Sequence, residues 1–208
     1  MGCLKSIIKK IFFLAIIFAF FFFGGYDFVA EKYQQFTSPP REVLIKDSKD
    51  FGDFSKVSSD YRLTRSLNFG GYRKFNAHYL PTNQKITILD LKNNKIIEPK
   101  DFYTKEIDKK INELLLKFKD SAITLEELTI TNRGVVVAKG KTIPYVNFKS
   151  KVKNIPFKTV EGTIAAYESQ NIAKNKKNST IKIVISMRDS NKYNQEITAN
   201  FIKDIKFN

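Results

Sequence analysis

From Ile11 to Phe23 every residue is apolar, and eleven of those thirteen are Ile, Leu or Phe. At roughly −0.3 to −0.6 kcal/mol per such residue, moving the block into a bilayer gains on the order of 5 kcal/mol. Extended to Tyr26, the segment measures about 24 Å as a helix, a little short of the roughly 30 Å hydrocarbon core. Lys9 and Lys10 can snorkel to the head groups, and Ile7, Ile8, Phe28 and Val29 lengthen the apolar reach. The run is predicted to span as a transmembrane helix.

Gly2, Cys3 and Ser6 also fit a short acylation pattern. That pattern demands little, and Cys3 reads as an ordinary cytoplasmic thiol. Lys5, Lys9 and Lys10 ahead of an apolar block resemble a secretory signal, but a cleavage site needs small residues at two positions. In GGY and FVA, Phe23 or Phe28 occupies one of them. An uncleaved signal anchor is therefore the better reading. With the lysines before the segment and Asp27, Glu31 and Lys32 after it, the N-terminus is placed in the cytoplasm and the bulk of the chain outside.

The predicted organisation is a cytoplasmic tip and anchor over 1–30, a tether over 31–42 ending in Pro39-Pro40, and one extracytoplasmic domain over 43–208. That domain contains no cysteine, so disulfides and thiolate metal sites are excluded there. The net charge of +15 is carried mostly by lysine, which reads as a solvated surface or as attraction to anionic head groups.

VLIK (43–46), DYRLTRSL (60–67), YRKFNAHY (72–79) and KITILDL (85–91) read as short strands. In the last, Ile86, Ile88 and Asp90 fall on one face against Thr87, Leu89 and Leu91. One strong amphipathic helix is predicted from about Thr104 to Lys119. Ile107, Ile111, Leu114, Leu115 and Phe118 form its apolar stripe. Strands return with AITLEELTI, a turn at Thr131-Asn132-Arg133-Gly134, and VVVAKGK. IPYVNFKSKVK, FKTVEGTIAAYES, TIKIVISMR and QEITANFIKDIKF continue the strand series. The sum is an α+β fold: a mainly antiparallel, curved sheet with one principal helix.

Little in the chain argues for an enzyme. His78, the only histidine, sits in a strand without metal-ligand partners. There is no G-x-S-x-G elbow, and Gly70-Gly71 leads into Tyr-Arg-Lys, not a phosphate cradle. Glu126 and Glu127 would point to opposite faces of a strand. Asp47, Asp50 and Asp53 lack the closing glutamate of a calcium loop. In YVNFKSKVK, Lys149, Lys151 and Lys153 share one side of a strand and Phe148 and Val152 the other, a half-buried strand with a wet face. An exterior location also speaks against a nucleic-acid partner. Asn178-Ser179-Thr180 is a glycosylation sequon, meaningful only in a eukaryotic source.

The helix TKEIDKKINELLLKF, followed by AITLEELTITNRGVVVAKGK and IPYVNFKSKVK, resembles the bacterial envelope family typified by LmeA. The matching positions are Asp108, Asn112 and Leu115 on the helix and Gly134 in the turn, over roughly residues 55 to 165. The resemblance implies a membrane-tethered or secreted protein related to tubular lipid-binding domains; it supplies no catalytic residues to place on this chain, and no cofactor is expected. On that expectation Ile107, Ile111, Leu114, Leu115 and Phe118 line a lipid trough, and Lys149, Lys151 and Lys153 meet anionic head groups at its mouth. The alternative is an anchored subunit that docks a protein partner through its sheet and binds no small molecule.

Overall fold

The computed structural model describes residues 39–64, 66–69, 72–91, 96–117, 125–153, 158–170 and 179–207. The anchor predicted over 1–30 lies outside these residues. Among the described residues no helix is long and apolar enough to cross a membrane. Arg41–Asn208 form one compact unit.

Its frame is a curved, eight-stranded antiparallel sheet. The strands are β1 (Tyr61–Leu63), β2 (Leu67–Phe69), β3 (Tyr72–Tyr79), β4 (Gln84–Asp90), β5 (Leu125–Ala138), β6 (Lys141–Val152), β7 (Thr159–Gln170) and β8 (Ser179–Asp189). Their order is β1-β3-β4-β8-β7-β6-β5, with β2 also on β3. β5 to β8 form a meander, and β8 returns to pair with β4. Between β4 and β5 the chain crosses to the far edge through a 3-10 turn (Pro99–Tyr103) and helix α2 (Ile107–Lys117). Helix α1 (Arg41–Asp47) precedes the sheet and α3 (Gln195–Asp204) follows it.

Both faces of the sheet are covered. On one, Phe75, Ile86, Ile88, Ala165 and Val184 pack against Leu44 of α1, Phe51 and Phe54 of the following loop, and Phe201 and Ile202 of α3. On the other, Leu89, Phe148, Ile164 and Ile183 pack against Phe102, Ile107, Ile111 and Leu114. β8 is buried on both sides, with Ile183 and Ile185 in one core and Val184 in the other.

Three sequence expectations are corrected. VLIK is part of helix α1, not a strand. Its run is too short for periodicity to decide; the helix puts Leu44 inward at 6 % exposure while Val43 stays 40 % exposed. Arg41 fixes it by donating to the Tyr61 carbonyl at 2.7 Å. QEITANFIKDIKF is largely helix α3, not a strand. Ile197, Ala199 and Phe201 alternate as a strand would, but Thr198 and Ile202, four apart, are also buried. The Asn194 side chain caps the helix by accepting from Glu196 N at 2.8 Å. The fold therefore has three α-helices among the described residues instead of one.

The turn expected at residues 131–134 is the third correction. β5 runs straight through it, with register irregularities at Glu126/Thr129 and Ile130/Asn132. The hairpin bend falls at Lys139 and Gly140, whose φ angles of 49° and 81° suit a tight two-residue turn. Gly134 serves a different purpose: the Tyr145 ring of β6 lies where its side chain would be.

Candidate functional site

Two sets of residues were expected to meet at a lipid trough. Ile107, Ile111 and Leu114 are each 0 % exposed, sealed between α2 and the sheet. The Leu115 side chain and Phe118 lie outside the described residues. Lys149, Lys151 and Lys153 are exposed, and Lys149 pairs with Glu161 at 3.2 Å. Along β6, however, Lys149 and Lys151 are in phase with Ile143, on the α3 side of the sheet. Val146 and Phe148, which touch the α2 core, are in the opposite phase. The stripe and the strand lysines therefore stand on opposite faces of the sheet.

A second polar assembly was missed by sequence reading. Arg73, Asp90, Lys182 and Tyr167 are directly opposed across β3, β4, β8 and β7. Asp90 Oδ2 accepts from Arg73 Nη2 at 2.6 Å and pairs with Lys182 Nζ at 2.7 Å. Arg73 also pairs with Asp50. The Phe51 ring lies over the row, 5.3 Å from the Arg73 guanidinium and 5.6 Å from Lys182 Nζ. Tyr167 donates to the Phe51 carbonyl at 2.6 Å.

Burial holds Lys182 below the usual lysine range despite its bond to Asp90, and pushes the Tyr167 hydroxyl well above the tyrosine range. The two cations and two carboxylates balance, and Lys182 is 0 % exposed. The row pins the Asp50–Phe51 loop to the sheet. Lys182 and Asp90 are shut off from solvent, while the Arg73 and Asp50 side chains keep 20 % and 26 % exposure. Asp90, in phase with Ile86 and Ile88, was the row's only signal in the sequence.

A third polar group seats α3. Gln84 Nε2 donates to the Asn194 carbonyl at 2.9 Å and to Thr198 Oγ1 at 3.1 Å, and Gln84 Oε1 accepts from Asn194 N at 3.0 Å. Ser186, Thr163 and Asn147 extend this network across β8, β7 and β6. Its members satisfy one another, as a helix-docking network should.

The accessible feature is the outer edge of β5. Among the described residues β5 pairs with β6 alone. From Asn132 to Ala138 the register with β6 is regular. The Arg133 N–H is taken by the Asn132 side chain at 2.8 Å, so it points away from β6. By the alternation of an antiparallel ladder, the N–H and C=O groups of Val135 and Val137 also point outward. Their side chains are 47 % and 64 % exposed. The regular stretch has few of the devices that blunt an edge: no proline, and charge only at Arg133.

Beside this edge lies a cleft of about 380 Å3, bounded by β5 residues 128–133 and by Asp108 at the start of α2. Arg133 spans it, donating to the Thr104 carbonyl at 2.8 Å and pairing with Asp108 at 3.0 Å. Tyr103, next to Thr104 in the chain, is 66 % exposed.

His78 lies half-buried on β3 opposite Arg62 and Lys85. Burial, then the two cations, hold its imidazole below the usual range. Among the described residues no three His, Cys, Asp or Glu side chains converge as a metal site. Fold and surface define a class: an antiparallel sheet domain covered on both faces, whose apolar β5 edge pairs, among the described residues, with β6 alone. Compared with protein-family models and with curated proteins, the sequence matches none.

Proposed function

We propose that the protein is a membrane-anchored, extracytoplasmic interaction domain that works by docking another protein, not by catalysis. The observation that carries this reading is the β5 edge, where Val135 and Val137 combine outward backbone groups with 47 % and 64 % exposed side chains. An exposed edge strand is a template for strand addition. The rival reading, a lipid trough along α2, would require Ile107, Ile111 and Leu114 to leave the sheet. Uncovering three such side chains costs about 1.5–3 kcal/mol each, a large share of a domain's stability. The exposed lysines, Lys149, Lys151 and Lys153 among them, orient the domain over an anionic membrane surface.

The topology is tested by a reporter, active only outside the cytoplasm, fused after Asn208 in the full chain. An active reporter in alkali-resistant membranes supports the reading. Activity confined to a cytosolic reporter at the same position overturns it.

A further inference from the structure

Resting on the interaction-domain reading, we infer that the β5 edge takes an extended peptide segment with alternating apolar residues and an acidic residue at each end, added as a ninth strand.

Geometry limits where such a strand can pair. On the N-terminal side the ladder is irregular up to Asn132, and the outward Arg133 N–H is already occupied by the Asn132 side chain. On the other side the chain bends at Lys139-Gly140. Among the described residues Val135 and Val137, with their flanks, have no partner for their outward donors and acceptors, enough for a short segment and not for a long sheet. Their side chains stand on the face away from α3, so alternate apolar residues on the incoming strand find partners there.

Charge selects the ends. Arg133 lies at one limit of the β5 edge; at the other are exposed Lys139, which donates to the Asp204 carbonyl at 3.0 Å, and exposed Lys141, whose ammonium stands over the Phe207 ring. Among the described residues the Arg133 guanidinium is bound to Asp108, which is 52 % exposed, and to the Thr104 carbonyl. A carboxylate on the incoming strand can enter the adjoining 380 Å3 cleft and share that guanidinium. Self-pairing of two β5 edges is the less favoured occupant, because each copy carries a net charge of +15.

The test uses full-length protein in neutral detergent micelles and a labelled, end-blocked peptide of about seven residues, alternating Val and Thr between terminal Glu residues. A second peptide carries Lys in place of Glu. Saturable binding of the acidic peptide, about tenfold tighter than the lysine version and weakened by salt, is the expected result. Val137→Pro removes an outward N–H without touching the bonds to β6, so it should weaken binding about tenfold or more, while Val137→Thr preserves it. Arg133→Ser should narrow the difference between the two peptides.

Equal binding of both peptides, no saturable binding of either, or full binding by a folded Val137→Pro variant overturns the assignment. Circular dichroism of each variant reports whether it is folded. None of these outcomes bears on the Asn208 reporter, so the edge can fail while the anchored-domain reading stands, and the converse.

Discussion

Lys182 and Asp90 stand directly opposite each other on β8 and β4, with Nζ 2.7 Å from Oδ2 and both side chains almost wholly shut off from solvent. Removing one member of such a pair strands the other charge in a low-dielectric setting, which costs about 3–5 kcal/mol. Lys182→Met and Asp90→Leu should each destabilise the domain on that scale. The double variant leaves Arg73 to Asp50, so its cost should fall short of the sum by about 1 kcal/mol or more. Urea unfolding of the four proteins measures the coupling, and additive effects would mean the pair acts as two independent groups.

Asp101 sets an acid limb. Burial raises its carboxyl, but Lys110 Nζ at 2.8 Å and the Glu98 amide at 2.7 Å outweigh burial and hold it below the usual carboxylate range. Because the folded value is the lower one, this stabilisation is complete above the unfolded value near about pH 4 and is lost as pH falls through the folded value. Asp101→Asn should lower stability at pH 7 by about 1–2 kcal/mol, the scale of a lost charge-assisted cap. It should also flatten the decline below about pH 4. Thermal unfolding across that range checks both; an unchanged acid limb would contradict the assignment.

Gly162 and Gly134 should respond differently to alanine. A methyl on Gly162 would run into the Ser186 backbone carbonyl and reach within 2.6 Å of the Phe148 ring, in the middle of the sheet. At Gly134 the obstacle is the outer end of the Tyr145 side chain, which can swing away. Gly162→Ala should cost about 2–4 kcal/mol and Gly134→Ala distinctly less, an ordering that denaturant melts will show. Equal costs would mean that Tyr145 is held as firmly as a backbone carbonyl.

Much of the sheet was legible because its strands obey simple rules. YRKFNAHY coincides with β3, and KITILDL with β4 to within a residue. The stripe of α2 was visible from Ile107, Ile111 and Leu114. What a stripe faces was not visible. A helix lining a cavity and a helix closing a core share the same periodicity, and here the sheet fills the space.

The two misread helices share a cause: VLIK and ITANFI are short apolar stretches whose neighbours in space, β1 and the Gln84 network, decide the outcome. The hairpin expected at Thr131-Asn132-Arg133-Gly134 failed because a glycine signals either a turn or a close approach, and Tyr145 makes it the latter. The row of Arg73, Asp90 and Lys182 was hidden because it joins strands far apart in sequence.

Helix α2 closes a protein core, which leaves the outer surface to do the binding. Hydrogen exchange of the Ile111 and Leu114 amides in the full chain, with and without anionic phospholipid vesicles, tests this most directly. The account predicts strong protection, unchanged by lipid, with any new protection appearing at β5 and only on adding the acidic peptide. Loss or gain of α2 protection with lipid, accompanied by stoichiometric co-purifying phospholipid, would contradict it.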